Sequence, residues 1–423
     1  MGEENKGENV HCPAVVMAMD QERKVLAAAS GRTFAVWEVA SGRVLCRREL
    51  SAGLKPEPVI RCVALGTDAA TGHVLCATAG DDKILRVWDV AACADASVAG
   101  SCIATPKRLT DVAFDRAGCV VYADKFGDVY RVPLPLPTAL TAALLAPPAP
   151  AAAAEQAAAR KSKGREPAPR AAATPEDACI LGHCSMLTAL ALAPDETLVA
   201  TGDRDEHVRV SRYPAAYDIV AYCLGHTASV FGAVFCGSAT RLCTGAGDGT
   251  LRVWCTSSGA ELACVRPKGK DENKEEDKGK GDEPIVVACD WCEGRETVAA
   301  RVEGEACVRL YRVEGATGAL VPAQTLATPS AALAVRFDAA GRVLVATAHH
   351  GIRVFAADGS EEAAFDDSAL GTCSAADADA IVAGSACSLS LRVVYPRDGE
   401  RPAKRAYAGA ANENSKNTSQ EQD

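Results

Sequence analysis

A chain of 423 residues and 43.8 kDa has length for two or three ordinary domains, or for one large repeat architecture carrying insertions. Hydrophobic residues make up 48% of it but aromatics only 5%, so a core must be built mostly from small aliphatic side chains. With 45 Lys+Arg against 55 Asp+Glu the formal charge is −10, which excludes a surface that is phosphate-binding throughout and confines any nucleic-acid footprint to a local patch.

The first residues, Met1-Gly2-Glu3-Glu4-Asn5-Lys6, have neither the basic start nor the apolar run of a secretory signal, and Lys6 spoils a myristoylation pattern. The 19 cysteines are an odd number, most of them in apolar runs such as Val74-Leu75-Cys76-Ala77, and read as small buried hydrophobes in a reducing, intracellular setting. The apolar run near Leu140 to Ala154 is broken by Pro147, Pro148 and Pro150, so it does not read as a membrane helix.

A short pattern then recurs along the chain: small residues, a turn bearing Asp or Gly, and a β-rich run ending in an aromatic. Its clearest copies are residues 27–37, 78–88 and 244–254, ending at Trp37, Trp88 and Trp254. Weaker copies end at Tyr130, Ser211, Tyr311 and Phe355. Successive ends lie 51, 42, 81, 43, 57 and 44 residues apart, three of them in the range of about 40–45 that a four-stranded propeller blade requires. The two longest gaps hold an Ala/Pro-rich stretch, 137–177, and a Lys/Glu/Asp/Gly run, 266–283; without these 41 and 18 residues each gap is a single blade.

Short runs such as Leu190-Ala191-Leu192, Leu198-Val199-Ala200 and Val208-Arg209-Val210, separated by polar turns, are the strands of such a unit. The expected fold is all-β, a seven-bladed propeller over residues 1–395 with units near 10–54, 57–97, 101–137, 178–216, 218–265, 284–324 and 329–395. The two insertions and the tail 396–423 are expected to be disordered by composition. Strands near Ile381-Val382 and Leu391–Val394 are candidates to close the ring with the N-terminal segment, an eighth partial blade being the alternative.

One unit carries Gly225-His226, then Thr244, Asp248 and Trp254. His226, Thr244, Asp248 and Trp254 form the buried hydrogen-bond relay of a WD repeat, in which the turn Asp fixes the His while Thr and Trp supply partners. Gly182-His183 precedes Thr201 and Asp205, but that strand ends at Ser211, leaving the relay incomplete with Asp205 at the turn position. His183 and His226 therefore read as structural.

Features resembling reactive sites fare poorly. Cys289-Asp290-Trp291-Cys292 has no second ligand pair at zinc spacing and falls in a predicted innermost strand, where alternation separates the thiols. Gly245-Ala246-Gly247-Asp248-Gly249 leads from strand to strand and lacks the helix N-terminus of a phosphate loop. His349-His350 has no partner pattern, and no Walker, dinucleotide or Gly-x-Ser-x-Gly signature is present. The sequence predicts no catalytic residue, no metal site and no cofactor. Residues 160–170 carry five positive charges against one, a solvated loop or a nuclear import signal or RNA strap.

The blocks Leu181–Leu187, Thr201–Ser211 and Cys223–Thr227, with Ala123–Tyr130 one unit earlier, resemble the non-catalytic WD-repeat subunit of the tRNA guanine-N7 methyltransferase. That resemblance covers two adjacent blades and the start of the next; elsewhere the similarity is to WD repeats in general. It implies a heterodimer in which this chain binds and stabilises a catalytic subunit holding S-adenosylmethionine, and helps orient a tRNA methylated at a variable-loop guanosine, with nuclear residence. It also implies a partner-binding rim at Lys125, Arg204, Asp205, Glu206 and Arg209. Arg86 and Arg252 stand at the place of Arg209 in other blades, so that position by itself is an ordinary feature of the repeat. Phe126 and His207 depart from the family pattern. A generic WD40 scaffold presenting its rim to peptide partners is the alternative function.

Overall fold

The computed structural model describes residues 9–11, 15–50, 58–92, 101–134, 178–267, 285–315, 317–362, 365–374 and 382. After a short strand β1 (Asn9–His11), the first blade is built from β2 (Val16–Asp20), β3 (Val25–Ser30), β4 (Thr33–Glu38) and β5 (Val44–Glu49). Blade 2 holds β6 (Ile60–Thr67), β7 (Val74–Gly80), β8 (Ile84–Asp89) and β9 (Ser101–Ala104). Blade 3 holds β10 (Leu109–Phe114), β11 (Val120–Asp124), β12 (Asp128–Val132) and β13 (Cys179–Gly182). Blade 4 is β14 (Leu187–Leu192), β15 (Leu198–Asp203), β16 (Val208–Arg212) and β17 (Ile219–Cys223).

Blade 5 is β18 (Val230–Phe235), β19 (Arg241–Ala246), β20 (Leu251–Cys255) and β21 (Glu261–Val265). Blade 6 is β22 (Val286–Cys292), β23 (Thr297–Val302), β24 (Cys307–Val313) and β25 (Leu320–Ala327). Blade 7 has β26 (Ala332–Phe337), β27 (Val343–Thr347) and β28 (Gly351–Phe355), and a last strand β29 (Thr372–Ser374) follows. Within every blade the strands pair in sequence order, antiparallel, from the innermost outward. The architecture is a seven-bladed propeller, as the spacing of the aromatic ends predicts.

Small side chains suit this geometry because twisted sheets meet face to face around an axis and interdigitate at crystal-like density. Seven apolar clusters fill the seven gaps between neighbouring blades. Ala27, Ala29, Phe34 and Val36 of blade 1 meet Ile60 and Val63 of blade 2, for example. The gap between blades 7 and 1 is filled the same way, by Leu344, Ala346 and Ile352 against Met17, Leu26 and Trp37. Cys76 and Cys243 are wholly buried, as their apolar context predicts. Cys46 departs from that pattern: it is buried on β5 and disulfide-bonded.

Two expectations are corrected. The predicted units 57–97, 101–137 and 178–216 each lack their outer strand, because β9, β13 and β17 pair with the strand before them and so complete blades 2, 3 and 4. The stretch 137–177 consequently joins β12 to β13 inside blade 3 and does not separate blades 3 and 4, whereas 266–283 joins blades 5 and 6. Both stretches, apart from Arg266, Pro267 and their immediate flanks, and the tail 396–423 lie outside the described residues. So do the strand candidates at 381–394, Val382 excepted. Among the described residues the two ends of the chain meet where β1 pairs antiparallel with β29, in a two-stranded sheet of its own. Glu362 and Phe365 lie beside β28, their N–H groups donating to Val354 and Ile352 O, and Phe365 packs edge-on against Trp37 at 5.7 Å. Arg47 Nε donates to Ala369 O at 2.6 Å across the same seam.

Candidate protein-interaction site

The turns between the second and third strands of each blade lie at one end of the ring, next to the segments that enter the following blade. In blade 5 this end is held by the complete relay. Asp248 carboxylate oxygens contact His226 Nδ1 at 3.0 Å and accept from Thr227 N–H and Thr250 Oγ1; His226 Nε2 lies 2.8 Å from Thr244 Oγ1, which accepts from Trp254 Nε1 at 2.7 Å. Every member is buried, and the hydrogen bonds from His226 and Thr250 hold the Asp248 carboxyl well below the usual carboxylate range despite burial. Blade 2 keeps Trp88 Nε1 donating to Thr78 Oγ1 at 3.1 Å. In blade 1 Ala28 stands where that threonine would be, and buried Trp37 Nε1 has no acceptor.

Blade 4 rewires the relay. His183 Nδ1 meets Asp203 Oδ2 at 3.2 Å and His183 Nε2 meets Thr201 Oγ1 at 2.8 Å, so the acid is Asp203, the last residue of β15. The expectation that Asp205 holds the turn is thereby corrected. Asp203 Oδ1 accepts from the Asp205 and His207 N–H groups, which ties the turn down from inside and leaves the Asp205 side chain in solvent.

Arg209 departs from its counterparts in other blades. In blades 2, 5 and 6 the arginine of the third strand pairs with an acid four residues earlier: Arg86 with Asp82, Arg252 with Asp248, Arg309 with Glu305. The corresponding pair in blade 4 is absent. Arg209 turns inward and is 7% exposed, donating from Nη1 to Gly182 O at 3.0 Å, from Nη2 to Ala216 O at 2.9 Å and from Nε to Ser211 Oγ at 2.9 Å. Ser211, in place of the usual aromatic, is what makes room for it. The arginine expected on the partner-binding rim thus staples blade 3 to the loop after β16.

Its absence from the surface alters the turn. Asp205 pairs instead with Arg204 at 3.0 Å, on side chains 52% and 26% exposed, and Glu206 beside them is exposed with φ of 76°. Blades 3 and 5 put Gly127 and Gly249 at that left-handed position, at 105° and 74°. A non-glycine residue there costs on the order of 1 kcal/mol, and such strain is concentrated at functional turns.

Lys125 lies in the equivalent turn of blade 3, half-buried, with Nζ 5.6 Å from the exposed Phe126 ring; Lys107 Nζ caps the same ring at 3.8 Å. The two turns are joined through the 183–186 segment. Gly127 O accepts from His183 N–H, and Met186 O accepts from Arg204 N–H. A Cβ on Gly127 would meet His183 O and Ser185 O at 2.6 Å, so only glycine allows this approach. The structure therefore brings Lys125, Arg204, Asp205 and Glu206 to one end of two adjacent blades, and withdraws Arg209 from them.

The axial channel is a cavity of about 330 Å³ lined in part by Arg61, Asp111, Arg301 and Arg336. Burial pushes the Asp111 carboxyl up to about 6, yet its oxygens are used within the fold, accepting Val112 N–H and, from the next blade, Leu190 N–H. Asp290 of blade 6 does the same for Phe337 N–H of blade 7. Both are latches between blades. Among the described residues no group of three or more His, Cys, Asp or Glu is placed to hold a metal.

A seven-bladed ring with the His–Asp–Thr–Trp relay and strand-to-strand glycine turns is a WD-repeat β-propeller. Solved propellers agree in fold: the structure of U3-55K at TM-score 0.57 and 15% identity, covering 82% of this chain and 94% of that one, and the mitotic checkpoint complex at 0.57 and 13%, covering 84% and 94%. The model of the tRNA methyltransferase TRM82 WD40 domain matches residues 54–363, and the chain belongs to that family.

Among its relatives, the tRNA (guanine-N(7)-)-methyltransferase non-catalytic subunit wdr4 of Danio rerio is 38% identical over 39% of this chain and 40% of its own length. The corresponding subunit trm82 of Sclerotinia sclerotiorum is 31% identical over 67% of this chain and 60% of its own. The Homo sapiens subunit is 34% identical over 35% of each chain. The chain thus aligns with less than two thirds of the length of each of these relatives.

Proposed function

We propose that this chain is the non-catalytic subunit of a tRNA guanine-N7 methyltransferase heterodimer, which binds and stabilises the catalytic subunit and helps position tRNA for methylation. Family membership supports the reading, together with the names its relatives carry. The observation that carries it to a surface is the blade 4 turn, where the arginine–acid pair of blades 2, 5 and 6 is given up and Arg204, Asp205 and Glu206 lie at the surface, on the same end as Lys125. Mixed charge of this kind fixes the register of a docking partner and repels wrong ones. The overall charge of −10 fits a subunit that leaves the main RNA grip to its partner. Nuclear residence is part of the same proposal.

The test is copurification of this chain with candidate methyltransferases, followed by guanine-N7 methylation of tRNA with each subunit alone and with both. Methylation that rises only when both are present is the expected result. No gain on adding the propeller refutes the assignment and favours a scaffold that presents the same rim to peptides.

A further inference from the structure

Other outer strands expose single apolar side chains among polar ones: β5 turns out Val44 with Arg47 and Glu49, and β21 turns out Leu262 beside Glu261. The edge of blade 4 is different. Of seven large apolar side chains left in solvent among the described residues, four fall within residues 217–224: Tyr217 at 81% exposure, Ile219 at 41%, Tyr222 at 46% and Leu224 at 63%. Single exposed hydrophobics are ordinary, but this clustering is a patch.

Register shows which way the patch faces. Tyr222 pairs with Arg209 and Ile219 with Ser211, so they share the face on which Arg209 reaches Gly182 of blade 3. Leu224, two residues beyond Tyr222, continues that side. Cys223 pairs with Val208, the first residue after the charged turn, so Leu224 stands level with Glu206 and His207. An apolar wall at the outer cleft between blades 3 and 4 thus runs directly into the Arg204-Asp205-Glu206 turn.

We infer that Ile219, Tyr222 and Leu224 form the apolar centre of the surface on which the catalytic methyltransferase subunit docks, with the charged turns as its rim. The inference rests on the functional reading above and deepens it. Specific interfaces have this layout, with aromatic and aliphatic anchors excluding water at the centre and charges setting orientation at the edge. The occupant is a protein: the wall offers nothing to phosphate, and its border balances Lys125 and Arg204 against Asp205 and Glu206, which leaves no net positive field to hold a polyanion. It presents an apolar segment flanked by an acid answering Lys125 or Arg204 and a base answering Asp205 or Glu206.

The test measures affinity of the full chain for the catalytic subunit by calorimetry, for wild type, for Tyr222→Ser with Leu224→Ser, and for Arg204→Glu with Asp205→Arg. Anchors of this type cost roughly 30-fold or more in affinity when truncated, and that loss is expected for the apolar double variant, with thermal unfolding near wild type. If the double variant unfolds, Leu224→Asp alone decides by the same criterion. Wild-type affinity in the apolar variants while the charge variant is weakened overturns the wall and leaves the functional reading standing. No binding by the wild-type chain overturns both. A wild-type chain that self-associates, and becomes monomeric in the apolar variant without change in methyltransferase affinity, assigns the wall to a second copy and also overturns the inference.

Discussion

Substituting Arg209 separates a structural arginine from a contact arginine. Its guanidinium is buried and donates three hydrogen bonds of 2.9–3.0 Å, to Gly182 O, Ala216 O and Ser211 Oγ. Arg209→Met keeps the stem and its packing but leaves those acceptors without the donor. Each buried acceptor so stranded costs about 1 kcal/mol or somewhat more, giving about 3–5 kcal/mol in total. For a chain of this size that corresponds to a fall in Tm on the order of 5–10 °C. Arg204→Ala, which removes a partly exposed ion pair, is expected to cost about 0–1 kcal/mol and to act on partner affinity instead. Thermal unfolding followed by circular dichroism, alongside calorimetric binding of the catalytic subunit, reads both quantities. An Arg209→Met protein that unfolds like wild type yet fails to bind would show that Arg209 reaches the partner, and the account of the blade 3–4 staple would be wrong.

Glu206→Gly should relieve the left-handed backbone at φ 76° and stabilise the propeller by up to about 1 kcal/mol, while weakening partner binding; unchanged binding would remove Glu206 from the rim. Thr244→Val breaks the blade 5 relay at its centre, stranding Trp254 Nε1 and His226 Nε2, and should cost about 2–4 kcal/mol in urea unfolding, with Thr78→Val costing less because blade 2 has only the Trp–Thr bond. The Asp248 carboxyl is held below its unfolded value, so its contribution to stability is present above the ordinary carboxylate pKa near 4 and is lost as pH falls through the depressed folded value. Asp248→Asn should therefore be less stable than wild type at pH 7, and the gap should narrow as the pH is taken below 4. A gap that stays constant with pH would contradict the assignment.

The seven-fold repeat was legible because every blade but the fourth ends its third strand on an aromatic side chain and the turns before those strands carry Asp or Gly, and both leave marks in the sequence. The family was legible in the same way, from the wording around His183, Asp203 and Arg209. Blade boundaries were not, since an outer strand pairs backward with the blade preceding it, and nothing in the residues of β9, β13 or β17 reveals that choice.

By spacing the relay acid is Asp205, four residues after Thr201 as Asp248 is after Thr244; only the path of β15 shows that His183 meets Asp203. Arg209 matches Arg86 and Arg252 by position, yet Ser211 two residues later opens a space that draws it inside. The apolar wall was missed because Ile219, Tyr222 and Leu224 look like core residues of an ordinary strand. What the chain determined by itself was the periodicity, the relay and the charged turn, because these depend on residues close together in sequence or on a repeat that recurs. Which side chains face solvent was decided by tertiary structure, because burial depends on the neighbouring blade, and a one-residue change of register or a Ser for a Trp redirects a side chain from rim to core.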